Sequence, residues 1–132
     1  MKKNKGFTLI ELLAIVMILT IVFAMVAYFT FGYLEKSKKT ACEATINTIE
    51  NAARAYVAKP KFAGKNHENL TIYDLAYEGL IEKDFVNPKT GRPVSDQTPV
   101  KIFYIPSAPG SDKGKYCIEV ILDGCPVRTC NQ

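Results

Sequence analysis

The chain has 132 residues, 17 Lys+Arg against 13 Asp+Glu and a net charge of +4, enough for one modest domain. Three of the cations, Lys2, Lys3 and Lys5, precede a long apolar run; without them the balance is 14 against 13, which leaves no general basic character to bind nucleic acid by bulk electrostatics. The mean hydropathy of +0.01 averages two unlike parts.

From Phe7 to Tyr33 the sequence is almost wholly apolar, with Glu11 as its only charge. A run of about 27 residues exceeds the ~20 that carry a helix across a bilayer. The lysines ahead of it predict a cytoplasmic N-terminus and export of the rest. A secretory signal fits poorly, because the run is far longer than the ~7–15 residues of a signal core and no small-x-small cleavage site follows it. A plain membrane anchor fits the composition better, but gains nothing from Glu11. Near the bilayer centre a lone carboxylate costs about 2.5–3.5 kcal/mol on insertion scales. Near the helix start it costs less, beside the interface and the positive helix end. An acid here implies a partner charge; the plain alternative is a carboxylate that snorkels to water.

Lys5-Gly6-Phe7-Thr8-Leu9-Ile10-Glu11 resembles the class III signal of type IV prepilins and pseudopilins. The resemblance implies cleavage between Gly6 and Phe7 by prepilin peptidase, N-methylation of Phe7, and a role for Glu11 in subunit docking. Cleavage creates a cation at Phe7 that Glu11 of a neighbouring copy neutralises. Stacked copies of the helix then bury one another as a filament core, with Ala24, Ala27 and Gly32 as small faces for close approach. Many pilins of diderm bacteria carry a proline at the position of Tyr28, and this run has none, which leaves Gly32 as the weaker site for a local kink.

The helix is predicted to continue beyond the apolar run, since no Pro or Gly occurs between Lys36 and Lys59. Ala41/Cys42, Ile46, Ile49, Ala53 and Tyr56/Val57 form one buried stripe, with Glu43, Asn47, Glu50 and Arg54 off it, and Pro60 ends the helix. In Lys65-Asn66-His67-Glu68, a polar loop, His67 is expected to face solvent. Thr71 with Asp74 caps a short helix; Asn69-Leu70-Thr71 also matches a glycosylation sequon. Asn87-Pro88-Lys89-Thr90-Gly91 is a turn. Its order after Asp74-Leu75 and Gly79-Leu80-Ile81 resembles the helix-to-sheet connection of small pilins and major pseudopilins.

Strands are predicted over 100–105 and 116–122, and Asp123-Gly124 reads as a hairpin turn into 125–130. If Leu122 pairs with Cys125, Cys117 falls opposite Cys130 and Glu119 opposite Arg128. At a non-hydrogen-bonded pair the Cα atoms lie about 4.5 Å apart, within disulfide range. The other face, Ile118, Val120, Leu122, Cys125 and Val127, is expected on the helix, beside Cys42.

All four cysteines lie beyond the apolar run. Disulfides are favoured over zinc, since no C-x-x-C pair occurs and His67 is the only histidine. The expected pairs are Cys117–Cys130 and Cys42–Cys125, with a short Cys125–Cys130 loop as the rival. No catalytic constellation, metal set or cofactor motif is read; Asp96, Asp112 and Asp123 are dispersed loop acids. Lys101, Lys113 and Lys115 allow nucleic acid only weak surface binding, and a solvated rim is the simpler reading.

The expected fold class is α+β: a long N-terminal helix, transmembrane in its first half, packed by its second half on a small antiparallel sheet, the pilin fold that the resemblance implies. The segments are a leader over 1–6, the apolar helix over 7–34 and an exported domain over 35–132. The resemblance implies a non-enzymatic subunit of a type IV pilus serving adhesion, twitching motility or DNA uptake. It passes from the cell membrane to an extracellular fibre. Its partners are further copies of itself, prepilin peptidase, the assembly platform, minor pilins and the membrane. Two alternatives stand beside it: a pseudopilin of type II secretion or competence, and a membrane-tethered binding domain that does not polymerise.

Overall fold

The computed structural model describes residues 6–111 and 113–130. Lys2, Lys3 and Lys5 of the basic flank, and the loop acid Asp112, lie outside the described residues. Five elements follow in order: α1 (Leu9–Ala58), β1 (His67–Thr71), α2 (Ile72–Tyr77), β2 (Pro99–Pro106) and β3 (Gly114–Val120). The fold is α+β, a long N-terminal helix followed by a three-stranded antiparallel sheet in the order β1-β2-β3. Two compact units divide the chain, Met1–Ser37 and Lys38–Gln132.

Within the second unit, α1 presents Cys42, Ile46, Ile49, Ala52, Ala53, Tyr56 and Val57 to the core, the stripe set by the helical repeat of apolar positions. Val100, Ile102, Ile118 and Val120 of the sheet share this core. Alternation along a strand sends these side chains to one face, and the register pairs them, Val100 with Val120 and Ile102 with Ile118. Leu70, Ile72 and Leu75 complete it from β1 and α2. At the start of α2 the Asp74 carboxylate accepts from both the Thr71 N–H and the Thr71 hydroxyl, each at 2.9 Å, so an orphan donor of the helix start is satisfied.

Three local expectations are corrected. The segment 125–130 is not a strand: β3 takes β2 as its ladder partner, and the 122–125 turn closes with a single bond from Cys125 N–H to the Leu122 carbonyl at 3.0 Å. The edge of β3 away from β2 would have taken this segment, but 125–130 contains Pro126, which has no N–H to give, and Val127, which stays exposed. Arg128 accordingly meets Glu50 of α1 at 3.2 Å instead of Glu119, whose carboxylate accepts from the Cys130 N–H at 3.0 Å. His67 is not a solvated loop residue. It lies on β1 with Nε2 2.9 Å from the Phe62 carbonyl oxygen and its ring edge-on to Tyr56 and Phe62. The strand β1 itself was not expected, since His67-Glu68-Asn69-Leu70-Thr71 buries only Leu70. What holds it is pairing with β2, with a register shift between His67 and Leu70, and the Asn66 side chain, whose Oδ1 accepts from the Tyr104 N–H at 2.7 Å.

Candidate assembly helix and processing site

Gly6, Phe7 and Thr8 precede the helix in non-helical conformation. The Thr8 carbonyl accepts the first helical bonds, from Glu11 N–H at 3.1 Å and Leu12 N–H at 3.2 Å, so the helix starts at Leu9 and leaves the Gly6–Phe7 bond outside it. A peptidase needs chain that is not locked in helical hydrogen bonds. Gly6 adds room, since a Cβ there would meet nothing within 4 Å. Glu11 stands in the first turn of α1, where unsatisfied N–H groups give the helix end about half a positive charge. Its carboxylate is therefore cheapest here, and it lies one turn from the amine that cleavage at Gly6–Phe7 would expose.

Beyond this point the first unit is an apolar helix with no cover. Large apolar side chains between Phe7 and Leu34 are 44–89% exposed, and the segment is long and apolar enough to cross a membrane. Backbone groups are satisfied within the helix, which a hydrocarbon setting requires. The hydroxyls are satisfied too: Thr20 donates to the Met17 carbonyl at 2.7 Å and Thr30 to the Val26 carbonyl at 2.6 Å. The helix runs without a break through Tyr28 and Gly32. With no proline, every residue there keeps its N–H for the ladder.

The other sequence-marked residues belong to the second unit and hold the domain. Cys42 of α1 is bonded to Cys125 with Cα atoms 5.6 Å apart. Cys117 of β3 is bonded to Cys130 with Cα atoms 5.9 Å apart, although no ladder joins their segments. Lys101 pairs across strands with Glu119, and Lys115 with Ile105; Lys115 and Lys113 are exposed. Among the described residues no group of three or more His, Cys, Asp or Glu side chains is placed to hold a metal ion.

Sequence reasoning located the turn at Asn87 but not its importance. Asn87 is a buried polar residue, and its Oδ1 accepts from the N–H of Lys89 and Thr90 while its Nδ2 donates to the Asp123 carbonyl at 2.8 Å. It ties the connection after α2 to the turn that delivers Cys125. The Asn-Pro-Lys-Thr-Gly composition signals the first of these bonds and nothing signals the second.

Residues 1–27 match the family model described as the prokaryotic N-terminal methylation motif. Comparisons with curated proteins and with solved structures gave no match.

Proposed function

We propose that this chain, which carries the class III signal of type IV pilins and pseudopilins, is a structural subunit of a type IV pilus. Prepilin peptidase removes residues 1–6 and methylates the new amine of Phe7. The mature helix over 7–34 then holds the subunit in the cell membrane, with residues 35–132 exported, until the assembly platform transfers it into an extracellular fibre with minor pilins. Adhesion, twitching motility or DNA uptake is the use of such a fibre.

The observation that carries this reading is Glu11. It is the only charge between Phe7 and Tyr33 and lies in the first helical turn, within reach of an amine presented by an adjoining copy. A buried carboxylate is tolerated when paired and costly when alone. In the Glu11→Ala and Glu11→Val variants surface filaments should fall to background while the subunit still accumulates in the membrane; normal filaments from either variant would contradict the docking role. The pseudopilin reading uses the same signal and helix, and the unbroken helix through Tyr28 is the feature that favours it. On that reading deletion of the chain abolishes exoprotein release and leaves surface fibres intact, whereas on the pilus reading the fibres are lost.

A further inference from the structure

Between the loop over 87–98 and the turn at Leu122 and Asp123 lies a pocket of about 390 Å³, near the lower end of the ~300–1,000 Å³ common for small-ligand sites. Asn87 fixes both walls. Its backbone N–H donates to the Arg92 carbonyl at 2.9 Å and its Nδ2 to the Asp123 carbonyl at 2.8 Å, so the concavity is formed before any ligand arrives. Val94 and Leu122, both buried, and Pro93 give it an apolar side. The hydroxyl oxygens of Thr90 and Ser95 accept from the N–H of Arg92 at 3.4 Å and of Gln97 at 3.3 Å, which leaves each hydroxyl proton to donate. Arg92, Thr98 and Asp123 complete the lining, and their side chains have no hydrogen bond or ion pair among the described residues.

We infer that this pocket binds one uncharged hexose unit of a polysaccharide. The site lies wholly within the Lys38–Gln132 unit and stands whether or not the chain polymerises. Charge selects a neutral ligand. Arg92 and Asp123 share the lining without pairing with each other, so a lone anion meets the Asp123 carboxylate, a lone cation meets the Arg92 guanidinium, and either repulsion costs affinity. The surroundings do not tip this balance: Lys89, whose stem packs on Gly124, is offset by the exposed Asp96 beside Ser95. Hydroxyl chemistry selects a sugar. Each sugar hydroxyl both donates and accepts, so Asp123 takes its protons while Arg92, Thr90 and Ser95 donate to its oxygens. The C–H face of the ring supplies apolar surface for Pro93, Val94 and Leu122. A small zwitterion such as glycine would answer the two charges but has no ring to cover that side.

The test titrates the full chain, purified in a detergent without a sugar headgroup, with D-glucose, D-galactose, D-mannose and N-acetyl-D-glucosamine by saturation-transfer NMR. At least one of these should bind saturably. Asp123→Asn and Thr98→Val, which keep side-chain size, should each weaken that binding about tenfold, with both disulfides intact on a non-reducing gel. Tyr77→Ser removes a ring that is 75% exposed and lies outside the lining, and should leave binding unchanged. Three results would each overturn the assignment: no saturable binding of any of the sugars, unchanged affinity in either pocket variant, or loss of binding in Tyr77→Ser. Tighter binding of glycine or inorganic phosphate than of any hexose would overturn it as well. None of these results bears on polymerisation, which the Glu11 variants test separately.

Discussion

Tyr56 shows how a single side chain feels two environments. It is buried on the core stripe of α1, stacked on Phe62 with ring centroids 4.0 Å apart. Burial, then the carboxylates of Asp74 and Glu78, push its phenol above the ordinary value of 10.0. A raised acid dissociates less readily in the folded chain than in the unfolded one. Stability therefore does not depend on this group below pH 10 and falls as the pH rises past the unfolded value toward the folded one. Urea unfolding at a series of alkaline pH values should show that decline, and Tyr56→Phe, which keeps the ring, should flatten part of it. Equal declines in the two proteins would contradict the assignment. Asn87 stands at the same scale and shows a limit of reading from sequence. Composition marks a turn, but its hydrogen bond to Asp123, 36 residues away, depends on a chain path that only the folded domain defines.

At the scale of elements, legibility followed the strength of the local pattern. The second half of α1 repeats apolar residues every three or four positions without Pro or Gly, and its stripe from Cys42 to Val57 is the one the structure buries. Strands β2 and β3 were equally plain, rich in β-branched and aromatic residues. Strand β1 was hidden because four of its five residues stay out of the core, so the pairing partner rather than periodicity makes it a strand. The 125–130 segment erred in the other direction. Its hairpin turn is credible and its register self-consistent, yet a ladder needs donors and apolar partners, and Pro126 lacks the N–H while Val127 stays out of the core. Burial sets the expected energetics. Ile49 is fully buried on α1, so Ile49→Ala should cost about 2–5 kcal/mol, whereas Val127→Ala, on the unpaired segment, should stay within about 0.5 kcal/mol. Denaturant midpoints would check the contrast, and similar losses at both sites would refute it.

The whole molecule divides its labour between two units of different chemistry, Met1–Ser37 and Lys38–Gln132. Hydropathy alone separates the apolar run from the rest of the sequence, and Gly6, Phe7 and Glu11, whose processing and assembly roles are proposed, stand out because they lie within six positions of one another at its start. In the second unit two disulfides close the chain over separations of 83 and 13 residues. Loop-closure entropy assigns about 4–5 kcal/mol to the long loop and about 3 kcal/mol to the short one. The double variant Cys42→Ala/Cys125→Ala should therefore lower the melting temperature more than Cys117→Ala/Cys130→Ala; the reverse order would place the domain's main constraint at its C-terminal segment.

The pairing proposed for the Glu11 carboxylate and a newly made amine requires the chain to begin at Phe7 when it works. Intact-mass and N-terminal peptide analysis of purified surface fibres tests this directly. The result expected is a subunit starting at N-methylated Phe7; fibres built from chains that retain residues 1–6 would contradict it.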